Sequence, residues 1–160
     1  MSKDKFPITP GVRFLQENKV HFNSYLYEYA DKGGTSQTAE ELSIDEHNVI
    51  KSLVFENENK QCIIMLQHGD KNVSTKELAR LAGFKKLEPA DANSAMKWTG
   101  YQFGGTSPFG TKKEMAVFAE ETIFELENIF INGGKRGFIV EISPNELKRI
   151  LEIKTVKTAI

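Results

Sequence analysis

The sequence has a single cysteine and no long hydrophobic run, and each shortage excludes a class of protein. Cys62 is the only cysteine among 160 residues, which rules out a disulfide framework within the chain and argues against a cysteine zinc site. The longest apolar run, residues 62–66, has the length of a strand and not the roughly 20 residues of a membrane helix. The first five residues, Met1 to Lys5, lead into no apolar segment of the kind found in signal peptides. We therefore expect a cytoplasmic protein.

An excess of positive charge is also missing. The 21 Lys and Arg residues are balanced by 22 Asp and Glu residues, for a net charge of −1. Proteins that coat long stretches of nucleic acid depend on many contacts between Lys or Arg and phosphate, so that class is disfavoured. A protein that holds only the end of an RNA needs no such excess. Hydrophobic residues make up 39% of the chain, which is enough for one core, and we expect residues 1–160 to form a single domain.

Helix and strand signals alternate along the chain. Ser74 with Glu77 and Ser143 with Glu146 match the capping box, a pattern that begins helices. Helices are predicted after Thr9, Ser74, Asp91 and Ser143 and near 36–42. Strands are predicted over 21–29, 49–55, 61–66, 115–119, 129–131 and 138–142, followed by a short final strand. Because short turns join several strands, the pattern predicts an α+β fold, with a mixed and strongly curved sheet and helices packed outside it, and not a doubly wound parallel fold.

Two glycine-rich segments are the main candidates for ligand binding. They span residues 104–110 and 133–137, with the sequences GGTSPFG and GGKRG. Paired glycines allow positive φ angles and a close approach of ligand to main chain, and successive N–H groups can form an anion site. Ordinary hairpin turns are the alternative, although Lys135 and Arg136 in the second segment favour an anionic ligand. The first segment is not a phosphate-binding P-loop, because Thr111 stands where that motif needs lysine.

Lys51 is the next candidate, because it lies inside the apolar strand predicted over 49–55. A buried ammonium needs a partner, so this lysine either points into a pocket or lies at a sheet edge with its charge in water. Tyr25, Tyr27 and Tyr29 alternate along the first predicted strand and share one face. They either stack on bases or cover the core.

The other reactive side chains indicate structural roles. Cys62 lies in an apolar strand, as most buried free cysteines do. His47 lies in a polar turn and His68 at a strand end, without the spacing of metal ligands. No serine lies in a G-x-S-x-G elbow. The residues alone therefore describe an α+β domain for an anionic or nucleotide-bearing ligand and identify no reaction.

Taken together and in this order, these features resemble the YbaK/EbsC family of the prolyl-tRNA synthetase editing-domain superfamily. The marks are Lys51 in the segment IKSL, the segment TGY at 99–101 that leads into the first glycine segment, and the second glycine segment followed by VEI at 140–142. The resemblance covers nearly the whole chain. It implies a curved mixed sheet, nearly a barrel, flanked by helices. It also implies an enzyme without cofactor or metal that clears mischarged tRNA, which in YbaK is Cys-tRNA(Pro), alongside prolyl-tRNA synthetase.

The resemblance also implies roles for individual residues. Lys51 would hold the 3′-terminal adenosine or its phosphate, Gly104 would orient the aminoacyl ester through its backbone, and Tyr27 would line the pocket. The remaining substrate-binding residues would be Ser52, Gly105, Thr106, Ser107, Pro108, Gly110, Asn132, Gly133, Gly134, Lys135 and Arg136. Relatives often carry threonine at position 52 and serine at position 132, so the preferred amino acid stays open.

The family mechanism explains why no catalytic nucleophile stands out. The thiol of the bound cysteinyl group would attack its own ester, with backbone N–H groups around Gly104 and Gly105 stabilising the oxyanion. Cys-tRNA(Cys) is a possible further substrate. The alternatives are a scaffold that edits another amino acid, such as Ala-tRNA(Pro), and a module that binds tRNA ends or nucleotides without catalysis.

Overall fold

A computed structural model describes residues 6–160 of the chain. Within them lie five α-helices: α1 (Pro10–Glu17), α2 (Gly34–Leu42), α3 (Thr75–Ala82), α4 (Ala92–Thr99) and α5 (Pro144–Ile150). The strands are β1 (Asn23–Leu26), β2 (Val49–Asn57), β3 (Cys62–His68), β4 (Leu87–Pro89), β5 (Val117–Glu120), β6 (Ile129–Lys135), β7 (Phe138–Ile142) and β8 (Ile153–Val156). Two 3₁₀ helices cover Glu46–Asn48 and Glu121–Glu125.

The strands form one mixed sheet in the order β1-β7-β6-β2-β3-β5-β8, with β4 paired to β2. β2 is antiparallel to β3 and β4 and parallel to β6. On the other side of the sheet, β5 lies between β3 and β8 and is parallel to both. The α+β prediction with a mixed sheet is confirmed. The sheet stays open, with β1 and β8 as its edges.

The pairing of β2 is interrupted on one side, and this interruption positions the site. On that side β6 pairs with β2 at Val49 and Ile50, and β4 pairs with it from Phe55 to Asn57. The intervening residues 51–54 have no strand partner there, whereas β3 covers the other side from Ile50 to Glu56. The middle of β2 is therefore paired with β3 on one side and has no strand partner on the other.

Most helix starts follow the capping signals in the sequence. The Thr9 hydroxyl accepts a hydrogen bond from the Val12 N–H at 3.0 Å, and the Ser74 hydroxyl accepts one from the Glu77 N–H at 3.3 Å. The capping box expected at Ser143 is wrong in one respect. The helix begins at Pro144 as predicted, but the Ser143 side chain makes no capping bond.

The first predicted strand is shorter than its sequence pattern. Residues 21–29 alternate like a strand, yet β1 covers only Asn23–Leu26. Its partner β7 begins at Phe138, which is paired with Leu26. Beyond that point one bond remains, from the Tyr27 N–H to the Gly137 carbonyl at 2.9 Å. The tyrosines that follow leave the sheet because the neighbouring strand has ended.

The core lies on both faces of the sheet. The largest cluster joins α1 and α5 to the sheet through Leu15, Ile64, Phe138 and Leu147, all fully buried. A smaller cluster holds Cys62, which is 2% exposed and packs with Val54, Ala90 and Ala95 under the partly buried Trp98. The interpretation of Cys62 as a core residue is confirmed. No helix within residues 6–160 has the length and apolar character to cross a membrane.

Candidate functional site

A cavity of about 720 Å³ lies along the interrupted side of β2. Its walls come from the middle of β2, from α2 and the segment before it, from residues 72–75, from the first glycine-rich segment, and from Asn132 and Ile139 on either side of the second. The side chains or main chains that matter most are those of Tyr27, Thr38, Lys51, Ser52, Asn72, Phe103, Gly104, Thr106 and Asn132. A concave site with mainly apolar walls and a few polar groups is typical of small-ligand binding.

Lys51 projects into this cavity without an anionic partner. It is half-buried, and within residues 6–160 no carboxylate lies within ion-pair distance of its ammonium. Burial lowers the pKa of Lys51, an effect that the more distant Glu46 and Asp70 oppose. A partly desolvated ammonium that lacks a partner gains most from a bound anion. The pocket interpretation of this lysine therefore fits better than that of an edge lysine with its charge in water.

Ser52, the next residue of β2, carries an unsatisfied hydroxyl. Its Oγ is buried and, within the described part of the chain, has no hydrogen-bond partner. Leaving a buried polar group unpaired costs about 1–3 kcal/mol. Since Ser52 also lines the cavity, a bound ligand could supply the missing hydrogen bond.

Tyr25, in β1, and Tyr27, just after it, lie in different environments. Tyr27 lines the cavity, and its hydroxyl lies 2.7 Å from the Thr38 hydroxyl on α2. Tyr25 instead packs against Phe130 and donates a hydrogen bond to Glu141 at 2.6 Å. That bond, together with burial, raises the pKa of Tyr25. Only Tyr27 of this pair faces the site.

Asn132 connects the two glycine-rich segments. Its Nδ2 donates to the Gly104 carbonyl at 3.0 Å. Its Oδ1 accepts from the N–H groups of Gly134 and Lys135 at 2.7 and 3.1 Å. One side chain thus makes three hydrogen bonds, two of them local and one across a sequence separation of 28 residues, and so fixes one wall of the cavity.

The two adjacent glycines that begin the first segment are required by close packing. Gly104 has φ +84°, and a Cβ there would lie 2.6 Å from the Tyr29 hydroxyl oxygen. A Cβ on Gly105 would lie 2.9 Å from the Arg136 backbone nitrogen. The absence of side chains therefore lets the second segment and Tyr29 approach the main chain of the first.

The two backbone N–H groups expected to bind an oxyanion differ. The Gly105 N–H already donates to the Gln102 carbonyl at 2.9 Å, so the expectation that it is available to substrate is wrong for this structure. The Gly104 N–H has no acceptor within hydrogen-bond reach among residues 6–160. Of these two groups, the Gly104 N–H is the one that remains a free donor.

The cavity brings together six of the predicted site residues, namely Tyr27, Lys51, Ser52, Gly104, Thr106 and Asn132. Other predicted residues serve the packing of the segments and do not line it. Ser107 is fully buried and its Oγ accepts from the Phe109 N–H at 3.1 Å. The Gly133 carbonyl accepts from the Thr9 hydroxyl at 2.5 Å.

Four further predicted residues lie outside the lining. Pro108 and Gly110 line a different cavity of about 770 Å³ beside β5 and α5. Lys135 and Arg136 are exposed next to the first glycine-rich segment. For Pro108 and Gly110, the expected contact with substrate does not fit the cavity that holds Lys51.

Sequence reasoning missed several lining residues, above all Phe103. Its side chain lines the cavity although it is 48% exposed. The available signal was an aromatic residue placed between polar Gln102 and the flexible Gly104. Thr38 and Asn72 gave no comparable signal, because their places depend on how α2 and the segment after β3 fold back over β2.

His47, His68 and Asp70 form a compact cluster beside the site. The two imidazole rings stack at 3.8 Å with an interplanar angle of 6°, and His47 Nδ1 lies 2.9 Å from Asp70 Oδ1. His68 bonds the His47 carbonyl through Nδ1 at 2.8 Å and the Thr122 hydroxyl through Nε2 at 2.7 Å. Although the three side chains are close enough to hold an ion, in-plane lone pairs of parallel rings do not converge on one point. These contacts agree with structural roles for both histidines.

The fold is one that solved structures of other proteins share. A solved structure described as a "putative trans-editing enzyme for prolyl tRNA synthetase" superposes on this chain with a TM-score of 0.82, at 19% sequence identity. The match covers 96% of this chain and 99% of that one. At this identity the likeness establishes the shared fold.

Sequence comparison places the chain in a family. Residues 31–150 match the model described as "Aminoacyl-tRNA editing domain", and the protein belongs to that family. It is 28% identical over 140 residues to the Enterococcus faecalis protein named "Putative Cys-tRNA(Pro)/Cys-tRNA(Cys) deacylase EbsC". The aligned residues are 87% of this chain and 85% of the relative. A proline–tRNA ligase of Brachyspira hyodysenteriae is 30% identical over 88 residues, which are 55% of this chain but 15% of the ligase.

Proposed function

We propose that this protein is an aminoacyl-tRNA deacylase that clears cysteine from Cys-tRNA(Pro), with residues 1–160 acting as one editing domain. Membership of the editing family supports the reaction class, and the name of the E. faecalis relative supports the substrate. The observation that carries the proposal is the cavity along β2, where unpaired Lys51 and the unsatisfied Ser52 hydroxyl lie with the free Gly104 N–H. We further propose that it acts in the cytoplasm, in a transient complex with prolyl-tRNA synthetase.

The cavity wall supports a reaction in which the substrate supplies its own nucleophile. No cysteine, histidine, aspartate or glutamate is among the residues that line it, so Lys51 and Tyr27 are the titratable side chains of the wall. Burial raises the pKa of the Cys62 thiol to about 11, and this thiol lies in the core. The cavity lining therefore has no cysteine nucleophile, and its serine and threonine hydroxyls have no histidine or carboxylate beside them in the lining to act as a base.

The substrate thiol can replace it. A cysteine thiol has a pKa near 8.5, so part of it is ionised at neutral pH. The thiolate sulfur would bond to the ester carbonyl carbon, the bond from that carbon to the ribose oxygen would break, and the ribose oxygen would take a proton from water. The products are a cyclic thiolactone and free tRNA. Intramolecular attack reaches effective molarities on the order of 10⁵ M when the groups are well oriented.

The protein then needs to bind and orient. Lys51 would pair with a phosphate or hold the terminal adenosine, and Ser52 would hydrogen-bond to the same end of the substrate. The free Gly104 N–H would donate to the ester oxygen as it becomes an oxyanion. Removing one such donor in other enzymes lowers kcat by about 10²–10³.

Deacylation of Cys-tRNA(Pro) and Ala-tRNA(Pro) by the purified protein, with EDTA present, tests the proposal. We expect loss of the cysteinyl ester alone, because the alanyl group has no thiol. Lys51→Ala should lose most activity, whereas Lys97→Ala, an exposed lysine on α4, should keep it. If the alanyl ester is cleaved rapidly, the protein is still a deacylase, but water and not the substrate thiol attacks the ester. If neither ester is cleaved, with or without prolyl-tRNA synthetase, the deacylase proposal is rejected in favour of a non-catalytic binding module.

A further inference from the structure

An exposed aromatic ring stands at the rim of the cavity. Among residues 6–160 the large hydrophobic side chains that are exposed are Ile8, Leu26, Met96, Phe103 and Ile160. Phe103 is the one aromatic residue of this group, and it is the one that also lines the cavity. An isolated exposed hydrophobic residue needs no explanation, but an aromatic ring at the mouth of a binding site does.

Arg136 is fixed beside this ring. Its Nε donates to the Phe103 carbonyl at 2.7 Å, and its guanidinium carbon lies 5.0 Å from the centre of the Tyr29 ring. Within the described residues its remaining guanidinium N–H groups have no acceptor, and neither Arg136 nor the adjacent Lys135 forms an ion pair. Phe103, Tyr29, Lys135 and Arg136 together form what we call the rim platform.

The chemistry of the rim platform is that of single-stranded nucleic acid recognition. Bases stack on exposed aromatic rings and guanidinium planes, while neighbouring cations bind the phosphates between them. A protein partner would also accept an exposed phenylalanine. The two adjacent cations without carboxylate partners favour a polyanion, and the balanced total charge of −1 shows that this positive surface is local.

We propose that the rim platform binds the nucleotide that immediately precedes the terminal aminoacyl-adenosine of the tRNA. This inference rests on the proposed function, which places that adenosine in the cavity with Lys51. An RNA strand that leaves the cavity passes Phe103, which lines the opening. The preceding base stacks on Phe103, and its phosphate contacts Arg136 and Lys135.

Binding of uncharged RNA tests the platform separately from catalysis. The probe is a short RNA hairpin with a single-stranded 3′ end that carries fluorescent 2-aminopurine just before the terminal adenosine. We expect fluorescence quenching on binding, and about tenfold weaker binding by Phe103→Ala, the loss typical of one stacked base. Phe103→Trp should bind within about twofold of the unmodified protein because it keeps a stacking face. Met96→Ala removes an exposed side chain outside the cavity lining and should bind like the unmodified protein.

A pair of substrates separates failure of this inference from failure of the proposed function. Phe103→Ala should slow cleavage of a cysteinylated hairpin at least tenfold more than cleavage of 3′-cysteinyl-adenosine, which has no preceding nucleotide, since base stacking is lost in the first alone. Equal effects on both substrates, or an unchanged affinity of Phe103→Ala for the hairpin, would overturn the platform. If Phe103→Ala slows cleavage only when prolyl-tRNA synthetase is added, the proposed role of the rim platform is also wrong, and this surface contacts a protein. If neither substrate is cleaved by any form, the deacylase proposal fails, and the fluorescence measurement still decides the platform.

Discussion

The side-chain amide of Asn132 donates to the Gly104 carbonyl at 3.0 Å, and the same side chain accepts from the N–H groups of Gly134 and Lys135. The residue thus holds the peptide that we assign to ester binding against the second glycine-rich segment. A serine here has one donor and two acceptors as well, but its side chain is shorter than that of asparagine, so we do not expect it to make all three bonds.

Asn132→Asp is the most informative change at this position. The carboxylate keeps the two bonds from backbone N–H groups but turns an acceptor towards the Gly104 carbonyl, so the two oxygens repel. We expect kcat for Cys-tRNA(Pro) to fall roughly 10- to 100-fold, because one hydrogen bond is lost and two acceptors are brought together, with a smaller change in KM. Single-turnover deacylation measures this. Asn145→Asp, an exposed change on α5, is the matched control, and equal rates for the two variants would remove Asn132 from a positioning role.

Lys51→Met should separate activity from stability. Burial lowers the pKa of Lys51, so the charged form is disfavoured in the folded protein relative to the unfolded chain. The charged ammonium therefore lowers the stability of the fold at pH values below the pKa of Lys51 in the folded protein. This loss of stability disappears as the pH rises above the lysine pKa in the unfolded chain, which is about 10.4. At neutral pH the variant is therefore expected to melt at the same temperature or higher while deacylation is lost. A clearly lower melting temperature would show that the ammonium has a stabilising partner.

His68 should make stability depend on pH in a defined direction. Its burial lowers its pKa, with opposing contributions from the His47 carbonyl, Asp70 and Glu120. The unfolded chain then binds more protons below about pH 6.5, so stability is complete above this pH and falls as the pH drops. The fall in melting temperature from pH 8 to pH 5.5 should be smaller in His68→Gln. His21→Gln, at an exposed position, should keep the full dependence, and identical curves for both variants would contradict this account.

Glu120 anchors the C-terminal segment. It is 4% exposed, and its Oε1 accepts from Gln67 Nε2 and from both the N–H and hydroxyl of Thr158, at 2.9–3.1 Å. Glu120→Ala leaves these donors buried and unpaired, so we expect a loss of about 3 kcal/mol in the free energy of unfolding. The neighbouring Glu121→Ala removes an exposed contact with Lys157 and should cost less than about 1 kcal/mol. Urea unfolding of the two variants makes the comparison, and losses of equal size would refute the anchor.

The parts of the fold that local chemistry controls could be predicted from the sequence. The caps at Thr9 and Ser74 and the glycines that end α3 and α4 are local signals, and all were found in the structure. The length of β1 could not be predicted, because it depends on where β7 begins. At Ser143 the helix starts as predicted, but the serine hydroxyl does not cap it.

Some residues of the site could likewise be predicted from the sequence, and others could not. Lys51 stood out because an ammonium inside an apolar strand conflicts with its surroundings, and the cavity explains that conflict. Phe103 and Thr38 did not stand out, since neither is unusual where it stands in the sequence. The free N–H of Gly104 and the occupied N–H of Gly105 depend on one turn, closed by the Gln102 carbonyl, which residue types alone do not reveal.

The interruption in the pairing of β2 has a consequence for how such a pocket can change. β6 and β4 leave residues 51–54 uncovered between them, so the width of the opening is set by where two neighbouring strands stop. One more paired residue at the end of either neighbour would narrow the pocket along the strand by about 3.3 Å. Substrate size can therefore be adjusted through strand length, without exchanging Lys51, Ser52 or either glycine-rich segment.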